Sequence, residues 1–301
     1  MPPALPPLPA RHLLLGLLVV AVWGSNFVVI ESALAHLPPL FLAFLRFALA
    51  FLPAALFVPR PAVPLGQLAA YGVLIGAGQF GLLFVAMTDH ISPGLASLVI
   101  QTQVFFTIVL AALLAAERVA PVQWAGLGCA AAGLALIAAQ GDARATPLGL
   151  ALVLAAAASW AAANLVGRRA GRVDMLGYMV WSSAFALPPL LALSLLFEGP
   201  AAITTGLRAA DLGTALAVLW QAVGNTLLGY GAWGWLLARH PAAQVVPLAL
   251  GVPVFGLAAA ALWLGEPLPA WLLGAAALVL AGMALTLLGP RWLPAAAPPS
   301  R

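Results

Sequence analysis

The sequence predicts an all-α integral membrane protein with ten transmembrane helices, arranged as two inverted repeats of five helices each. Three observations lead to this fold class. The composition is far more apolar than that of a soluble chain, the apolar residues fall into ten runs of spanning length, and the second half repeats motifs of the first at a nearly constant offset. The first observation alone excludes a water-soluble domain, which carries roughly 25% charged residues.

Composition also limits the partners. Of 301 residues, 64% are hydrophobic and only 7% are charged, and the mean hydropathy is +1.09. All twelve basic residues are arginines, and they are scattered rather than grouped into a basic stripe. We therefore expect the lipid bilayer as a partner and no nucleic acid. The single Cys129 lies inside an apolar run, so it can form no intramolecular disulfide.

The ten apolar runs reach the roughly 20 residues that a bilayer-crossing helix needs. A signal peptide is the alternative for the first run, but no small-residue cleavage site ends a short apolar core before Trp23, which favours an uncleaved span. Residues 1–12 form a Pro-rich lead that we expect to be disordered, and 290–301 form a C-terminal tail. The predicted spans are 13–33, 39–58, 66–87, 93–116, 121–139, 147–167, 175–197, 211–238, 242–264 and 269–288.

Arginine counting predicts the orientation, because cytoplasmic loops of membrane proteins carry the excess of basic residues. With a cytoplasmic N-terminus, only Arg144 and Arg208 fall on the outer side, and Arg46 lies within span 2. This count predicts a multi-pass protein with both termini in the cytoplasm. The cytoplasmic arginines are then Arg11, Arg60, Arg118, Arg168, Arg169, Arg172, Arg239, Arg291 and Arg301.

An internal duplication divides the chain into a first repeat at 13–140 and a second at 147–289. Glu117 and Glu266 lie 149 residues apart, and each stands between two apolar runs and is followed by a Pro and then a Gly. Because five spans is an odd number, the two copies must cross the membrane in opposite senses. Inverted repeats are characteristic of secondary transporters, whose substrate site lies near the midplane between the repeats.

Matching polar and aromatic residues in spans 1 and 6 are the first candidates for that site. Trp23 and Asn26 are three residues apart, and Trp160 and Asn164 are four apart, so each pair shares one helix face. A carboxamide in hydrocarbon must find a partner or line a wet cavity. Packing against a neighbouring helix is the alternative, and the symmetric pairing with Trp favours a cavity wall.

The second group of candidate site residues comprises Arg46 and the amides of spans 3 and 4. Arg46 lies about 10 Å into span 2, where it could snorkel to the interface or meet a substrate carboxylate. Gln79 lies in the middle of span 3. Gln101 and Gln103 are about 200° apart on an α-helix, so we expect only one of them to face the cavity. Further candidates are Tyr230, as a binding residue, and Pro247, Gly251 and Pro253 of span 9, as a hinge.

The order of these motifs resembles that of EamA-type members of the drug/metabolite transporter superfamily, from about residue 13 to 292. The resemblance is closest to exporters of amino acids and related metabolites, including O-acetylserine and cysteine. The segments that carry it are VWGSNF at 22–27, PP at 38–39, LRF at 45–47, SPGLAS at 92–97, FFT at 105–107, ER at 117–118, GYG at 229–231 with Trp233, PL at 247–248 and VP at 252–253.

The resemblance implies a basket of ten helices in a bacterial inner membrane, with spans 1, 3, 4, 6, 8 and 9 around a central cavity. It implies alternating-access export of small polar metabolites, most closely amino acids or derivatives, with efflux of drug-like compounds as the alternative. Small multidrug members have a mid-membrane Glu in their first span, whereas Glu31 here lies near the outer end, which weakens the drug alternative. The oligomeric state stays open, and a monomer is compatible with the sequence.

Energy coupling and catalysis complete the expectations. Proton antiport needs a titratable group at membrane depth, and Glu31 is the nearest candidate, so we expect facilitated export with proton coupling through Glu31 as the rival. An intramembrane enzyme is the remaining class, and the chain has neither a Gly-x-Ser-x-Gly nor a His-Glu-x-x-His motif. We expect no enzymatic activity, no metal and no cofactor.

Overall fold

A computed structural model of the chain describes residues 8–115, 119–140, 145–171, 173–240 and 242–292. Within these residues ten helices are long and apolar enough to cross a membrane, which confirms the predicted fold class. Glu117, Arg118, Asp142, Arg144, Arg172 and Arg301, on which parts of the sequence argument rest, lie outside the described residues. The spans, numbered 1 to 10, are Ala10–Leu34, Pro39–Leu56, Leu65–Asp89, Pro93–Leu114, Pro121–Ala139, Pro147–Arg168, Met175–Phe197, Leu212–Arg239, Val246–Leu264 and Ala270–Gly289.

An eleventh helix, Gly199–Ala209, occupies what the sequence suggested was a loop between spans 7 and 8. At 11 residues it is too short to cross a bilayer, and only two of its residues are buried. Pro200 stands in its first turn and Arg208 in its last, where each is compatible with a helix end. The prediction missed it because the segment has no apolar run of spanning length.

Irregular helical segments recur at equivalent places in the two halves. Span 3 contains a π-helical segment, Leu74–Gly81, and span 8 contains another, Trp220–Leu228. Span 4 contains a 3₁₀ turn at Ile100–Thr102, and span 9 begins with one at Val246–Leu250. The first residues of each pair are 146 positions apart, close to the offset of the repeated sequence motifs. Such deviations are common at functional sites.

Helix pairing follows the same symmetry. Span 5 packs along span 10, and span 2 packs along span 7, so each of these helices contacts its own counterpart. Span 1 packs on span 9, and span 6 packs correspondingly on span 4. The peripheral pair of spans 5 and 10 therefore closes one side of the bundle, and spans 1, 3, 4, 6, 8 and 9 are free to enclose a space between the halves.

Glycines allow close approach at two of these interfaces. A Cβ on Gly24 of span 1 would lie 2.5 Å from the carbonyl oxygen of Val252 in span 9. A Cβ on Gly72 would lie 2.9 Å from the carbonyl carbon of Ser182 and closer still to its oxygen, and one on Gly76 would lie 3.2 Å from Cα of Ala186. Gly72 and Gly76 thus form the packing face against span 7 that the small-xxx-small spacing suggests.

Two glutamates hold helix N-termini at the predicted outer side. Glu266 accepts hydrogen bonds from Ser92 Oγ at 2.8 Å and from the backbone N–H of Gly94 at 3.3 Å. Glu198 likewise accepts from the backbone N–H groups of Leu40, at 2.5 Å, and Phe41, at 3.1 Å. Glu266, the second of the two repeated glutamates, therefore caps the N-terminus of span 4. There the positive end of the helix dipole stabilises its negative charge.

Candidate functional site

A cavity of about 530 Å³ lies between the two halves. Its lining residues come from spans 1, 3, 4, 6, 8 and 9, as the family resemblance implied, together with Met175 at the start of span 7. At one end the walls are the buried Ile30 and Leu83, and at the other end the lining reaches the exposed Arg168. The cavity is thus closed at the predicted outer side and extends toward the predicted cytoplasmic side.

Trp23 and Asn26 both line the cavity, as their shared helix face predicts. Gly24, between them, turns the opposite face of span 1 toward span 9, and this contact sets the rotation of the helix. The Trp23 indole donates to the backbone oxygen of Asn225 at 3.2 Å. Asn26 is only 3% exposed, and its Nδ2 donates to Gln221 Oε1 at 3.2 Å while its Oδ1 has no partner.

Trp160 and Asn164 line the same cavity from span 6. Asn164 Nδ2 donates to Gln103 Oε1 at 3.0 Å and approaches Thr107 Oγ1 at 3.4 Å. The two alternatives raised for these asparagines, cavity lining and helix-to-helix bonding, are therefore combined in one side chain. Asn26 bridges spans 1 and 8, and Asn164 bridges spans 6 and 4, so the two amides lie on equivalent spans but bond to helices that are not equivalent under the repeat.

The π-helical segments place a second pair of amides on the wall. Gln79 in span 3 and Asn225 in span 8 are 146 residues apart, each follows a glycine, and both line the cavity. Gln79 is 3% exposed, and its Oε1 has no hydrogen-bond partner. Sequence reasoning selected Gln79 but left Asn225 out, although its i, i+4 spacing from Gln221 was a usable signal.

Span 4 contributes both of its glutamines, which corrects the expectation that only one would face the cavity. Gln101 and Gln103 both line the space, and Thr107 lies beside them. The 3₁₀ turn at Ile100–Thr102 explains part of this, because about 120° per residue brings two positions closer in angle than an α-helix does. The sequence carried no clear sign of this local overwinding.

Arg46 is fully buried, so it does not snorkel to the interface. It also stands behind the cavity wall rather than among the lining residues. Its Nη1 donates to Gln221 Oε1 at 2.8 Å and its Nη2 to Asn225 Oδ1 at 2.7 Å, while its guanidinium carbon lies 3.7 Å from the ring centre of Phe80. Among the described residues, no carboxylate forms a salt bridge with it.

Aromatic rings form one corner of the cavity. The rings of Tyr230 and Trp233 lie 5.3 Å and 5.2 Å from that of Trp23, and all three residues line the space. The predicted binding residue Tyr230 is thus part of a contiguous aromatic surface. Trp233 and Tyr71, which also line the cavity, were not among the predicted site residues.

The predicted hinge residues lie where span 9 changes helix type. Pro247 is in the 3₁₀ turn Val246–Leu250, and Gly251 and Pro253 are in the first turn of the α-helix that follows. Val246, Ala249 and Val252 line the cavity from this segment. The change of helix type is a static feature, and a hinge motion at this position stays a prediction.

Comparison with known proteins identifies the family. The model of the EamA-like transporter family matches residues 10–139 and again residues 147–288. The chain belongs to the EamA-like transporter family. A "probable amino-acid metabolite efflux pump" of Salmonella typhimurium is 46% identical over 283 residues, covering 92% of this chain and 95% of the relative. A protein of the same description from Escherichia coli (strain K12) is 41% identical over 284 residues, with the same coverage of both chains.

A protein of known crystal structure supports the fold independently. It superposes with a TM-score of 0.64 at 22% sequence identity, covering 95% of this chain and 99% of the other. At this level of identity the likeness concerns the fold alone. The ten-helix architecture is therefore shared with a solved structure, and the chemistry of the cavity must be argued from its own residues.

Proposed function

We propose that this protein is an inner-membrane secondary transporter that exports amino acids or close derivatives by alternating access through the central cavity. The observation that carries the proposal is the character of that cavity. It is lined by carboxamides and aromatic rings, and among the lining residues Arg168, at the open end, is the one charged side chain. Two relatives that match nearly the whole chain are described as probable amino-acid metabolite efflux pumps.

The carboxamides of the cavity favour a small polar solute, whereas its volume and its mostly apolar lining also fit a drug-sized ligand. A site for a drug-sized ligand is mostly apolar, with few polar groups. Here Asn26, Gln79, Gln101, Asn164 and Asn225 surround one space. Carboxamides can donate and accept hydrogen bonds, so they replace the hydration of a zwitterion without requiring a net charge.

The cavity position supports an inward-facing state. With both termini cytoplasmic, Arg168 is on the cytoplasmic side, and the buried Ile30 and Leu83 close the outer end. At that outer end, Glu266 holds the N-terminus of span 4 through Ser92 and Gly94. Loading from the cytoplasm and release after separation of spans 4 and 9 at the outer side is the cycle that this arrangement suits.

Facilitated export is the coupling mode that we propose. Among the residues that line the cavity there is no Asp, Glu or His, so no lining side chain titrates near neutral pH. Glu31, the rival site for proton coupling, is adjacent to the lining residue Ile30 but does not itself line the cavity. A concentration gradient of the solute is then the driving force.

Transport in liposomes tests the function. Purified protein should accumulate individual labelled amino acids from a panel above the level of protein-free vesicles, and it should not transport cationic dyes. Uptake should be unaffected by an imposed pH gradient, in wild type and in Glu31→Gln alike. Dye transport without amino-acid transport would establish the efflux of drug-like compounds instead. A pH response that disappears in Glu31→Gln would establish proton coupling.

A further inference from the structure

In the hydrogen bonds behind the cavity wall, Arg46 determines which atoms donate and which accept. A guanidinium has five N–H donors and no acceptor. Gln221 must therefore turn its Oε1 toward Arg46 Nη1, which lies 2.8 Å away. The same oxygen lies 3.2 Å from Asn26, so Asn26 must present its Nδ2 to it, since two amide oxygens would repel. The amide orientation of Asn26 is thus determined by a residue to which it does not hydrogen-bond directly.

The consequence is an acceptor with a fixed orientation on a residue that lines the cavity. With one Nδ2 hydrogen donated to Gln221, the amide of Asn26 is oriented and its Oδ1 has no partner, although the residue is 97% buried. Gln79 Oε1, in the same cavity, is also without a partner and comparably buried. Buried acceptors without partners are uncommon in native proteins, and each such group calls for a ligand or an ordered water.

We propose that Asn26 Oδ1 and Gln79 Oε1 form the subsite for the protonated amino group of a zwitterionic substrate, with Arg46 as the residue that positions the Asn26 acceptor through Gln221. This inference rests on the proposed function and specifies which end of the solute the site recognises. An ammonium group offers three donors to these oxygens. The faces of Trp23 and Tyr230, which line the same space, are suited to a cation as well.

The charge of Arg46 restricts this subsite to zwitterions. The guanidinium is buried and lies against Phe80, itself a lining residue, and no described carboxylate neutralises it. At low dielectric such a charge repels a second cation in the cavity. A zwitterion carries its own carboxylate, which the same charge attracts. The site therefore accepts an amino acid and rejects the amine that lacks its carboxylate.

Competition against uptake of radiolabelled L-cysteine into proteoliposomes, under reducing conditions, tests the subsite. Unlabelled L-cysteine, 3-mercaptopropionate and cysteamine are compared, since the second lacks the amino group and the third lacks the carboxylate. For wild type we expect at least tenfold weaker inhibition by each analogue than by L-cysteine. In Arg46→Met, where Gln221 and Asn26 can both turn, the preference for L-cysteine over 3-mercaptopropionate should fall below about threefold.

Gln221→Glu is the matched variant that separates the orientation of the Asn26 amide from the charge of Arg46. The carboxylate still accepts from Arg46 and from Asn26, so the preference over 3-mercaptopropionate should be retained. It also neutralises the guanidinium, so cysteamine should become an inhibitor. A purely structural role of Arg46 would lower uptake without changing these ratios. Size-exclusion profiles show whether each variant is folded. The ratio of inhibition by an analogue to inhibition by L-cysteine does not depend on the amount of active protein, so partial misfolding does not change it.

The outcomes are distinguishable from failure of the proposed function. Equal inhibition of wild type by L-cysteine and 3-mercaptopropionate would overturn the amino-group subsite while leaving amino-acid transport in place. Unchanged ratios in Arg46→Met would overturn the positioning role. Absence of L-cysteine uptake, together with absence of uptake for every other amino acid in the panel, would overturn both the function and the subsite.

Discussion

The two halves of the molecule place equivalent asparagines on opposite walls of the cavity, but they connect them differently. Asn26 is 3% exposed and is tied through Gln221 to the guanidinium of Arg46. Asn164 is partly exposed and is tied to Gln103 and, through that residue, to Thr107. A hydroxyl and two amides can reverse their donor and acceptor roles together. The wall around Asn26 is polarised by Arg46, and the wall around Asn164 is not.

The difference originates in spans 2 and 7. These helices are equivalent and pack against each other, yet span 7 has no basic residue between Met175 and Phe197. Ser182 and Ser183 are its buried polar residues in the middle of the span, and Ser183 Oγ only donates to its own helix at Met179. A symmetric scaffold therefore carries one directional network, on the side of the first half. Export of an asymmetric solute such as an amino acid benefits from two unlike walls.

Spans 4 and 9 differ in the same sense. Span 4 faces the cavity with Gln101, Gln103 and Thr107, whereas span 9 faces it with Val246, Ala249 and Val252. A polar lining from one span and an apolar lining from its counterpart suit a solute with charged amino and carboxylate groups and a variable side chain. Under the proposed function, the symmetry provides the scaffold for alternating access, and the departures from it provide recognition of the solute.

The most direct test of this comparison replaces the two asparagines. Asn26→Ala should reduce L-cysteine transport at least about tenfold, because a hydrogen bond to a charged group contributes about 1.5–3 kcal/mol. Asn164→Ala should reduce it only about fivefold, in line with about 1 kcal/mol for a neutral hydrogen bond. Initial rates in proteoliposomes, normalised to the amount of reconstituted protein, provide the measurement.

Both variants should reach the membrane in normal amounts, since each removes a small polar side chain at a cavity wall. Equal losses of transport would show that the two walls are functionally symmetric and would remove the special role of the Asn26 network. Normal transport in both would return these residues to helix packing.

Sequence alone predicted the ten spans and the repeat, and seven of the eight predicted binding residues line the cavity, because hydrophobic length and helical spacing are local properties. Arg46 is the exception, and the reason is physical. Its depth in span 2 could be counted, but its partners Gln221 and Asn225 come from span 8. Only the tertiary fold shows that two neutral amides, rather than lipid headgroups or a substrate, accept hydrogen bonds from its Nη1 and Nη2. The helix Gly199–Ala209 escaped prediction because it has no apolar run of spanning length, and the joint contribution of Gln101 and Gln103 escaped it because it depends on a 3₁₀ turn that the sequence does not indicate.

Trp23 and Trp160 provide a second, smaller comparison. Both line the cavity, but the Trp23 indole donates to the backbone oxygen of Asn225 within the π-helical segment, at 3.2 Å. Trp23→Phe keeps an aromatic face and loses this hydrogen bond, so transport should fall about fivefold, the equivalent of about 1 kcal/mol. Trp160→Phe removes no hydrogen bond to a described residue, so transport by this variant should fall less than twofold.

Kinetic analysis over a range of L-cysteine concentrations separates the possible causes for the two tryptophan variants. A defect in Trp23→Phe that appears mainly in the apparent affinity is expected if the indole holds Asn225 in place beside Arg46. An equal or larger defect in Trp160→Phe would show that aromatic area, rather than the indole hydrogen bond, decides the contribution of these residues.

The smallest effect concerns packing outside the cavity, at the equivalent glycines Gly126 and Gly274. A Cβ on Gly126 would lie 2.7 Å from the carbonyl oxygen of Gly282, whereas a Cβ on Gly274 meets only Leu136 Cδ2, at 3.8 Å. Overpacking costs about 1–3 kcal/mol, so Gly126→Ala should lower the melting temperature in detergent by about 3–10 °C. Gly274→Ala should leave it unchanged or raise it slightly, because alanine favours helix by up to about 1 kcal/mol. Transport per folded protein should be unaffected in both variants, since neither residue lines the cavity. Equal shifts in melting temperature would contradict the asymmetric packing of spans 5 and 10.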